Sequence, residues 1–365
     1  MAARCYPSHM SADPTPARVD DWPVIDDPVS LDIVAALQVA PRVPASKLAE
    51  ILDQPTTTVT RKLKRLQQER LVKAIGRFAW PLVTSGNPLQ MWIRCQPGRA
   101  YEVAEELKQF PEIQFLMVTS GSADIYADLY PLLGSDANDL ISRRIPSIPG
   151  IASARSQLVL RSPRVGQSWR LNRLTEQQRR ELEGCTDPVV LPPFTRIEDL
   201  SEIDFRTLQE LGSNSRISAA DLGRKLSVSS STAYRSMQVI LGSGAISPRI
   251  EVEPAAVGFP LNANISLQVD PSAIPDVLAD LSRHPSARMV SMVAGSASVT
   301  HNGAFTGPAQ LADFITEDLG ALQGVHSMDI CIGLNVLRRY WMDRDGFRIG
   351  DQVQGILRRP DHLAD

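Results

Sequence analysis

The sequence is sparing in the residues that build metal and redox chemistry. Its four cysteines, Cys5, Cys95, Cys185 and Cys331, are scattered and form no C-x-x-C pair. Neither a zinc site nor a disulfide framework is expected, and a reducing cytoplasm is the natural compartment. The five histidines, His9, His284, His301, His326 and His362, show no metal spacing. There is no P-loop, dinucleotide glycine signature or nucleophile elbow. No catalytic residue and no cofactor are therefore expected. No apolar run approaches the roughly 18 residues of a membrane span, and Met1 to Asp27 has no signal-peptide apolar core. A strong charge imbalance is also missing: the net charge is −3. Any affinity for nucleic acid must then come from segregated charge.

The chain has 365 residues, 43% hydrophobic and 22% charged, which suits a soluble globular protein of two to four domains. Its charge is segregated in one stretch: from Arg61 to Lys73 there are six cations and one acid. Within Pro55 to Leu66, the apolar residues Val59, Leu63 and Leu66 lie on one helix face. Thr56, Thr57 and Thr58 open that helix, and Arg61, Lys62, Lys64 and Arg65 line its other side. A shorter amphipathic helix, Ala45 to Leu52, precedes it across the tight turn Asp53-Gln54-Pro55. This is the pattern of a helix-turn-helix whose second helix enters the major groove. The hydroxyls and the free N–H groups at the helix start suit phosphate or base edges. A charge run alone would fit a solvated helix face; the preceding helix and turn favour DNA.

Shifting the sequence by 174 positions aligns it with itself. Leu37 falls on Leu211, Arg42 on Arg216, Leu48 on Leu222, Arg61 on Arg235, Gly121 on Gly295 and Leu160 on Leu334. The two halves should share one fold. Each half begins with three helices, at Ser30 to Leu37, Ala45 to Leu52 and Pro55 onward in the first copy, and Asp204 to Leu211, Ala219 to Leu226 and Ser229 onward in the second. Each continues as strand and helix in the order β-α-β-β-α-β, the ferredoxin-like arrangement. In the strand Ala263 to Val269, Ile265, Leu267 and Val269 alternate with polar residues, as in a sheet covered on one side. The uncovered face of each sheet needs a partner, and the other copy can supply it.

The fold class expected is therefore α+β, with two repeats of a winged-helix-like helix-turn-helix and a ferredoxin-like module. The expected boundaries are a disordered tail at 1–28, a first helix-turn-helix at 29–76, and a first ferredoxin-like module at 77–162. A linker follows at 163–198, with a short helix at Leu174 to Glu183 opened by a Thr175/Gln178 capping box. The second helix-turn-helix then spans 199–250, the second ferredoxin-like module 251–338 and a C-terminal tail 339–365.

The second copy carries Asp204, Leu208, Leu211, Arg216-Ile217-Ser218, Asp221-Leu222, Leu226-Ser227-Val228-Ser229 and Arg235, then Ile246, Val252, Pro254 and Gly258 ahead of the strand to Val269. These residues, in this order, resemble the Lrp/AsnC family of bacterial and archaeal transcription regulators. The first copy is similar but has Ser30 where the family usually has an acid, and Asp53-Gln54-Pro55 where it favours Gly-Leu-Ser. The resemblance implies double-stranded DNA as a partner and a module that dimerises and binds small effectors, often amino acids. It also implies a homo-oligomer, dimer or higher; the two copies form either a covalent pseudo-dimer or halves that each pair with their counterpart on a second chain. In the second reader helix Ser230, Ser231, Tyr234 and Arg235 replace the cationic series. Weaker binding, more hydrogen-bonded readout, or a role in assembly alone all fit that change. Gly121-Ser122-Ala123-Asp124 matches the family's Gly-x-x-Asp hairpin, near which effectors bind at subunit interfaces. Its counterpart Gly295-Ser296-Ala297-Ser298 lacks the carboxylate. Gly121, Asp124, Gly295 and Ser298 are the effector candidates, although Gly and Asp are also ordinary turn residues.

The leading expectation is a sequence-specific transcription regulator, not an enzyme, modulated by a small metabolite such as an amino acid. Two rivals share the architecture. Some fused relatives are decarboxylases of sirohaem-type tetrapyrroles, which would want His and Arg residues converging in the effector module. The other rival is a co-regulator that does not bind DNA.

Overall fold

The computed structural model describes residues 22–359. Three helices open the first copy: α1 (Pro28–Val39), α2 (Ala45–Ile51) and α3 (Thr56–Gln68). Asp27 caps α1 by accepting from the Ser30 amide at 2.8 Å. Between α2 and α3, Asp53 adopts a left-handed conformation, φ 50°. The face that α3 buries is the one its spacing announces: Val59, Leu63 and Leu66 point inward. Strand β1 (Val72–Phe78) follows. Then come β2 (Leu89–Cys95), α4 (Ala100–Leu107), β3 (Ile113–Ser120), β4 (Ile125–Leu129), α5 (Ala137–Asp139, extended by a wider π-type turn over Leu140–Arg144) and β5 (Ile151–Arg164).

A connecting helix α6 (Glu176–Glu183), opened by the Thr175/Gln178 capping box, packs on α1 and α2. Trp169, Leu171 and Leu182 from this connection are buried in the core of the first helical unit. The second copy repeats the order: α7 (Glu202–Ser213), α8 (Ala219–Leu226), α9 (Ser230–Gly242), β6 (Ile246–Val252), β7 (Leu261–Val269), α10 (Ile274–Arg283), β8 (Ala287–Ala294), β9 (Val299–Phe305), α11 (Pro308–Asp313, again running into a π-type turn) and β10 (Val325–Arg339). Ser227, the counterpart of Asp53, is also left-handed, φ 57°.

The two helical units exchange strands. β1 and β6 pair antiparallel, Val72 opposite Val252 and Phe78 opposite Ile246. Ile250 and Val252 of β6 lie in the core of the first unit with Ile33, Leu37 and Leu63. Phe78 of β1 lies in the core of the second with Leu208, Leu211 and Met237. Its ring comes so close to α7 that a Cβ on Gly212 would meet it at 2.4 Å. A reciprocal pair of arginines reinforces the exchange. Arg42 donates to the Ser215 carbonyl, and Arg216 donates to the carbonyls of Pro41 at 2.6 Å and Val43 at 2.9 Å.

The eight strands of the ferredoxin-like modules form one closed ring, β10-β3-β4-β2-β5-β8-β9-β7 and back to β10. The two seams have the same register under the 174-residue shift: Leu158 opposite Ala294, and Ile332 opposite Ser120. Both halves therefore pair within this single chain. Arg338 crosses one seam to the Ile113 carbonyl at 3.2 Å, and Arg164 crosses the other to the Ala287 carbonyl at 3.2 Å. Strand alternation sends Ile265 and Leu267 outward under α10 and α11. On the opposite face of the strand, Asn262 and Asn264 point into the ring, where both are buried. Closure abolishes the open edges that each sheet would have alone.

Two expectations change. Residues beyond 338 do not leave as a tail: β11 (Met342–Asp345) and β12 (Arg348–Gln352) extend the sheet beyond β10, and Arg344 is 6% exposed. The turn residues Asp345-Gly346 and the alternation around them are the local signal for this hairpin. Of the segment expected as a disordered N-terminal tail, residues 1–21 lie outside the described residues. The rest is docked: Trp22 packs edge-on against Phe347, and the Ile25 amide bonds the Ala256 carbonyl at 2.7 Å. No helix among the described residues is long and apolar enough to cross a membrane.

The arginine exchange can be tested directly. Arg216→Ala removes two charge-assisted bonds from part-buried carbonyls, which should cost about 1–3 kcal/mol. Urea unfolding followed by circular dichroism should show an earlier transition in the helical signal than in wild type.

Candidate functional site

The first reader helix presents its hydroxyl end to solvent. Thr56 and Thr57 are exposed and Thr58 is half-buried. The N-cap of α3 is Pro55, which makes no side-chain cap. The first-turn N–H groups of α3 are thus free to meet an acceptor, at the positive end of the helix dipole. Arg61, Lys64 and Arg65 are exposed, and Arg61 and Lys64 have no ion-pair partner among the described residues. Arg65 reaches Glu69 at 2.8 Å. Lys62 departs from the expected cationic row. It turns back to Asp27 at 2.5 Å, and this bond, with that from Ser30, pulls the Asp27 carboxyl down to about 2.

The second reader helix differs in both cap and charge. Ser229 caps α9 by accepting from the Thr232 amide at 3.1 Å. Ser230, Ser231, Tyr234 and Arg235 are exposed on one face, with Tyr234 55% exposed. Ser236 points inward to Asp204 and Thr207. One reader thus offers an uncapped terminus and cations, and the other a capped terminus with hydroxyls and an aromatic ring.

The hairpins carrying the effector candidates sit at the two seams of the ring. Gly121 has φ +124°, and a Cβ there would meet the Ile330 carbonyl at 2.7 Å. The Asp124 carboxylate accepts from the Cys95 amide at 2.8 Å. Ser298 does the same for the Val269 amide at 3.3 Å. Gly295 lies against Gln157, whose side chain also takes the Ala297 amide at 3.4 Å. The Asp124 and Ser298 side chains therefore fasten the hairpin to the first strand of each module, which takes up one oxygen of the Asp124 carboxylate expected to meet a ligand.

A different cavity lies on the pseudo-twofold axis, between the exchanged strands and one end of the ring. Sequence reasoning did not single out its residues. They come from β1 and the segment after it, β3, β4, the residues just past β5, β8, β9, β10 and the β10–β11 turn, and only the closed ring brings them together. Arg77, Arg288 and Arg339 line it, along with Asp128, Trp80, Tyr130, Tyr340 and Trp341. Tyr340 and Trp341 form the two-residue turn after β10, both left-handed with φ 53° and 58°. Such conformations are costly for bulky residues. Here the Trp341 indole donates to the Pro111 carbonyl at 2.7 Å, and Arg249 stacks 3.8 Å over the Tyr340 ring.

Charge at this cavity is unbalanced. Behind its wall, buried Glu251 takes Arg344 at 2.7 Å and Arg249 at 2.8 Å, and buried Glu253 takes Arg339 at 3.4 Å. Arg77 and Arg288 have no ion-pair partner among the described residues. Burial, with the Arg339 charge beside it, pushes the Arg288 guanidinium down to about 10. Burial raises the Asp128 carboxyl to about 7, against a 2.6 Å bond from the Tyr126 hydroxyl that favours the charged form. None of the described histidines lines the cavity. His301, fully buried, bonds Ser286 at 3.1 Å and stacks on Phe314, and burial pushes it down to about 3. Among the described residues no group of side chains could hold a metal ion.

Folding keeps a proton on Asp128 between the ordinary value of 3.8 and about 7, where the unfolded chain has released it. Stability should therefore fall as pH rises across that window, by up to a few kcal/mol. Asp128→Asn should flatten this part of the profile, read as the urea midpoint at steps between about pH 4 and 8.

A family profile described as the Lrp/AsnC ligand binding domain matches residues 90–168, and one described as winged helix-turn-helix DNA-binding matches residues 26–73 and 200–239. The chain is 28% identical over 140 residues to the HTH-type transcriptional regulator LrpA of Pyrococcus abyssi, covering 37% of this chain and 94% of that protein. It is 28% identical over 134 residues to the HTH-type transcriptional regulator AldR of Mycolicibacterium smegmatis, covering 36% of this chain and 78% of that one. Each relative thus matches about one copy. Across the whole duplicated architecture, the fold is similar to that of the siroheme decarboxylase NirDL, with TM-score 0.55 at 13% identity, over 84% of this chain and 91% of that one. The same enzyme in complex with an iron-uroporphyrin III analogue aligns with TM-score 0.56 at 11% identity, over 86% of this chain and 93% of that one. At such identities the likeness is one of fold.

Proposed function

We propose that this chain, a tandem Lrp/AsnC-like protein with two winged helix-turn-helix units, is a sequence-specific transcription regulator that reads DNA with unequal helices and answers to a small metabolite. The observation that carries the reading is the first reader helix: an uncapped N-terminus, exposed threonines in its first turn, and exposed cations, two of them free of intramolecular partners among the described residues. The relatives named as transcriptional regulators, each matching about one copy, support it. Arg61, Lys64 and Arg65 supply the electrostatic grip, and Thr56, Thr57 and Thr58 meet phosphate or base edges. Ser230, Ser231, Tyr234 and Arg235 read the second half-site by hydrogen bonding and stacking, or bind it weakly. Lys62 orders the Asp27 cap and adds little to DNA affinity.

Because the copies pair within the chain, the reader pair is asymmetric, and so is the site it should prefer. Association of whole chains into larger assemblies would join several such pairs. The metabolite could lodge either at the seam hairpins (Gly121, Asp124, Gly295, Ser298) or in the axial cavity. The hairpin side chains are already engaged by backbone amides, which favours the cavity.

The decarboxylase alternative has one observation in its favour, the arginines that converge in that cavity, and one against it, the absence of histidine among the described lining residues. Tight binding of a tetrapyrrole, followed as an absorbance change, together with CO2 release would make the chain an enzyme.

The regulator reading is tested by binding to fragments of the neighbouring genomic DNA over a range of salt concentrations. Removing one cation that neutralises a phosphate should reduce the slope of log affinity against log salt by about 0.9. Arg61→Ala, Lys64→Ala and Arg65→Ala should each do so, Lys62→Ala should not, and Arg235→Ala should have the smaller effect on affinity. A wild-type protein that prefers no fragment over random DNA defeats the proposal.

A further inference from the structure

A cavity on the axis of a dimer of identical subunits has two identical walls. Here the walls differ at one position after another. Under the 174-residue shift, Gln114 corresponds to Arg288, Asp128 to Asn302, Val165 to Arg339 and Gly166 to Tyr340, and every one of these lines the axial cavity. The last pair meets at the axis itself. A Cβ on Gly166 would lie 1.9 Å from the Tyr340 hydroxyl. The tyrosine thus occupies space that its own counterpart must leave empty, an arrangement open to a fused chain and closed to a symmetric dimer.

The difference is also one of charge. Arg288 is 5% exposed; its guanidinium stacks 4.9 Å over the Trp169 ring, and its Nη1 is buried with no hydrogen-bond partner among the described residues. The Nε of Arg77 is in the same state, whereas Arg339 has Glu253 at 3.4 Å. A buried guanidinium with unmet N–H donors and no carboxylate beside it is costly to keep, and an anion in the cavity offsets that cost. The remaining surface is largely aromatic, with Trp80, Phe115, Tyr130 and Trp341 along it. Guanidinium groups recognise carboxylates through paired N–H donors, and flat rings receive flat ligands.

We propose that the axial cavity binds one aromatic carboxylate per chain, its carboxylate against Arg288 and Arg77 and its ring among Trp80, Phe115 and Trp341. Neither seam hairpin contributes a side chain to this site. The regulatory consequence of binding rests on the regulator reading above; binding itself does not.

The test uses the full chain without DNA. Phenylacetate, indole-3-acetate and anthranilate are titrated by calorimetry beside their neutral amides and inorganic phosphate, and each is also scored for its effect on melting temperature. At least one acid should bind ten-fold or more tighter than its amide, about 1.4 kcal/mol, and tighter than phosphate, and should raise the melting temperature. Arg288→Gln should lose at least ten-fold of that affinity. Without ligand it should melt close to wild type, because it removes a buried charge that has no ion-pair partner among the described residues together with its stacking on Trp169. Arg77→Gln serves as the second variant, and Arg180→Gln, on the exposed face of α6, should bind as wild type. The proposal is overturned if no acid binds better than its amide, if phosphate binds as tightly as the acids, or if both Arg288→Gln and Arg77→Gln keep wild-type affinity. Failure to bind DNA in the fragment assay would leave these titrations readable and would remove only the regulatory consequence.

Discussion

Backbone edges are the constraint on which the rest depends. Each ferredoxin-like sheet, taken alone, leaves the outer edges of its second and fourth strands unpaired. Each helical unit leaves its terminal strand without a partner. A strand edge must find hydrogen bonds or be covered. In this chain every one of those edges is met by the other copy: β5 by β8, β3 by β10, and β1 by β6. Three independent pairings share one pseudo-twofold axis, and the arginine exchanges at Arg42/Arg216 and Arg164/Arg338 follow the same axis. The two copies are therefore parts of one body, and neither helical core is complete without a strand from the other half.

That axis also decides where asymmetry is possible. Away from it, each position has its counterpart on the far side of the molecule, and the two can diverge without meeting. The reader helices are such a case: one keeps cations and an open terminus, the other a serine cap and an exposed tyrosine. On the axis, counterparts touch. Gly166 and Tyr340 illustrate the consequence, since the side chain of one fills the space of the other. Joining the copies covalently allows a single cavity to set Arg288 and Arg339 opposite Gln114 and Val165, their counterparts on the other wall, which a symmetric pair cannot do.

Most of the secondary structure could be read from periodicity, because the elements are short, amphipathic and repeated. The duplication doubled the signal: an element weakly marked in one copy is clearer in the other. The strand β2 at Leu89–Cys95 and the capping box at Thr175 appear where their residues place them. The C-terminal hairpin escapes a local reading, although Asp345-Gly346 is a turn signal. Its strands are short, and one carries Arg344, whose burial depends on Glu251 and Glu253, far earlier in the chain. The inward turn of Lys62 was equally hidden. A helix wheel places it beside Arg61, and only the approach of Asp27 from the preceding segment draws it inward.

The residue order by itself determined the repeat, the order of elements in each copy and the segregation of cations onto one helix, since each is a local or strictly periodic property. Tertiary structure alone decided that the copies close on each other within one chain, that one oxygen of the Asp124 hairpin carboxylate holds the Cys95 amide, and that Arg77 and Arg288 share a cavity. Those outcomes depend on which strand edges meet and in what register. That is a matter of long-range pairing, and no window along the chain contains both partners.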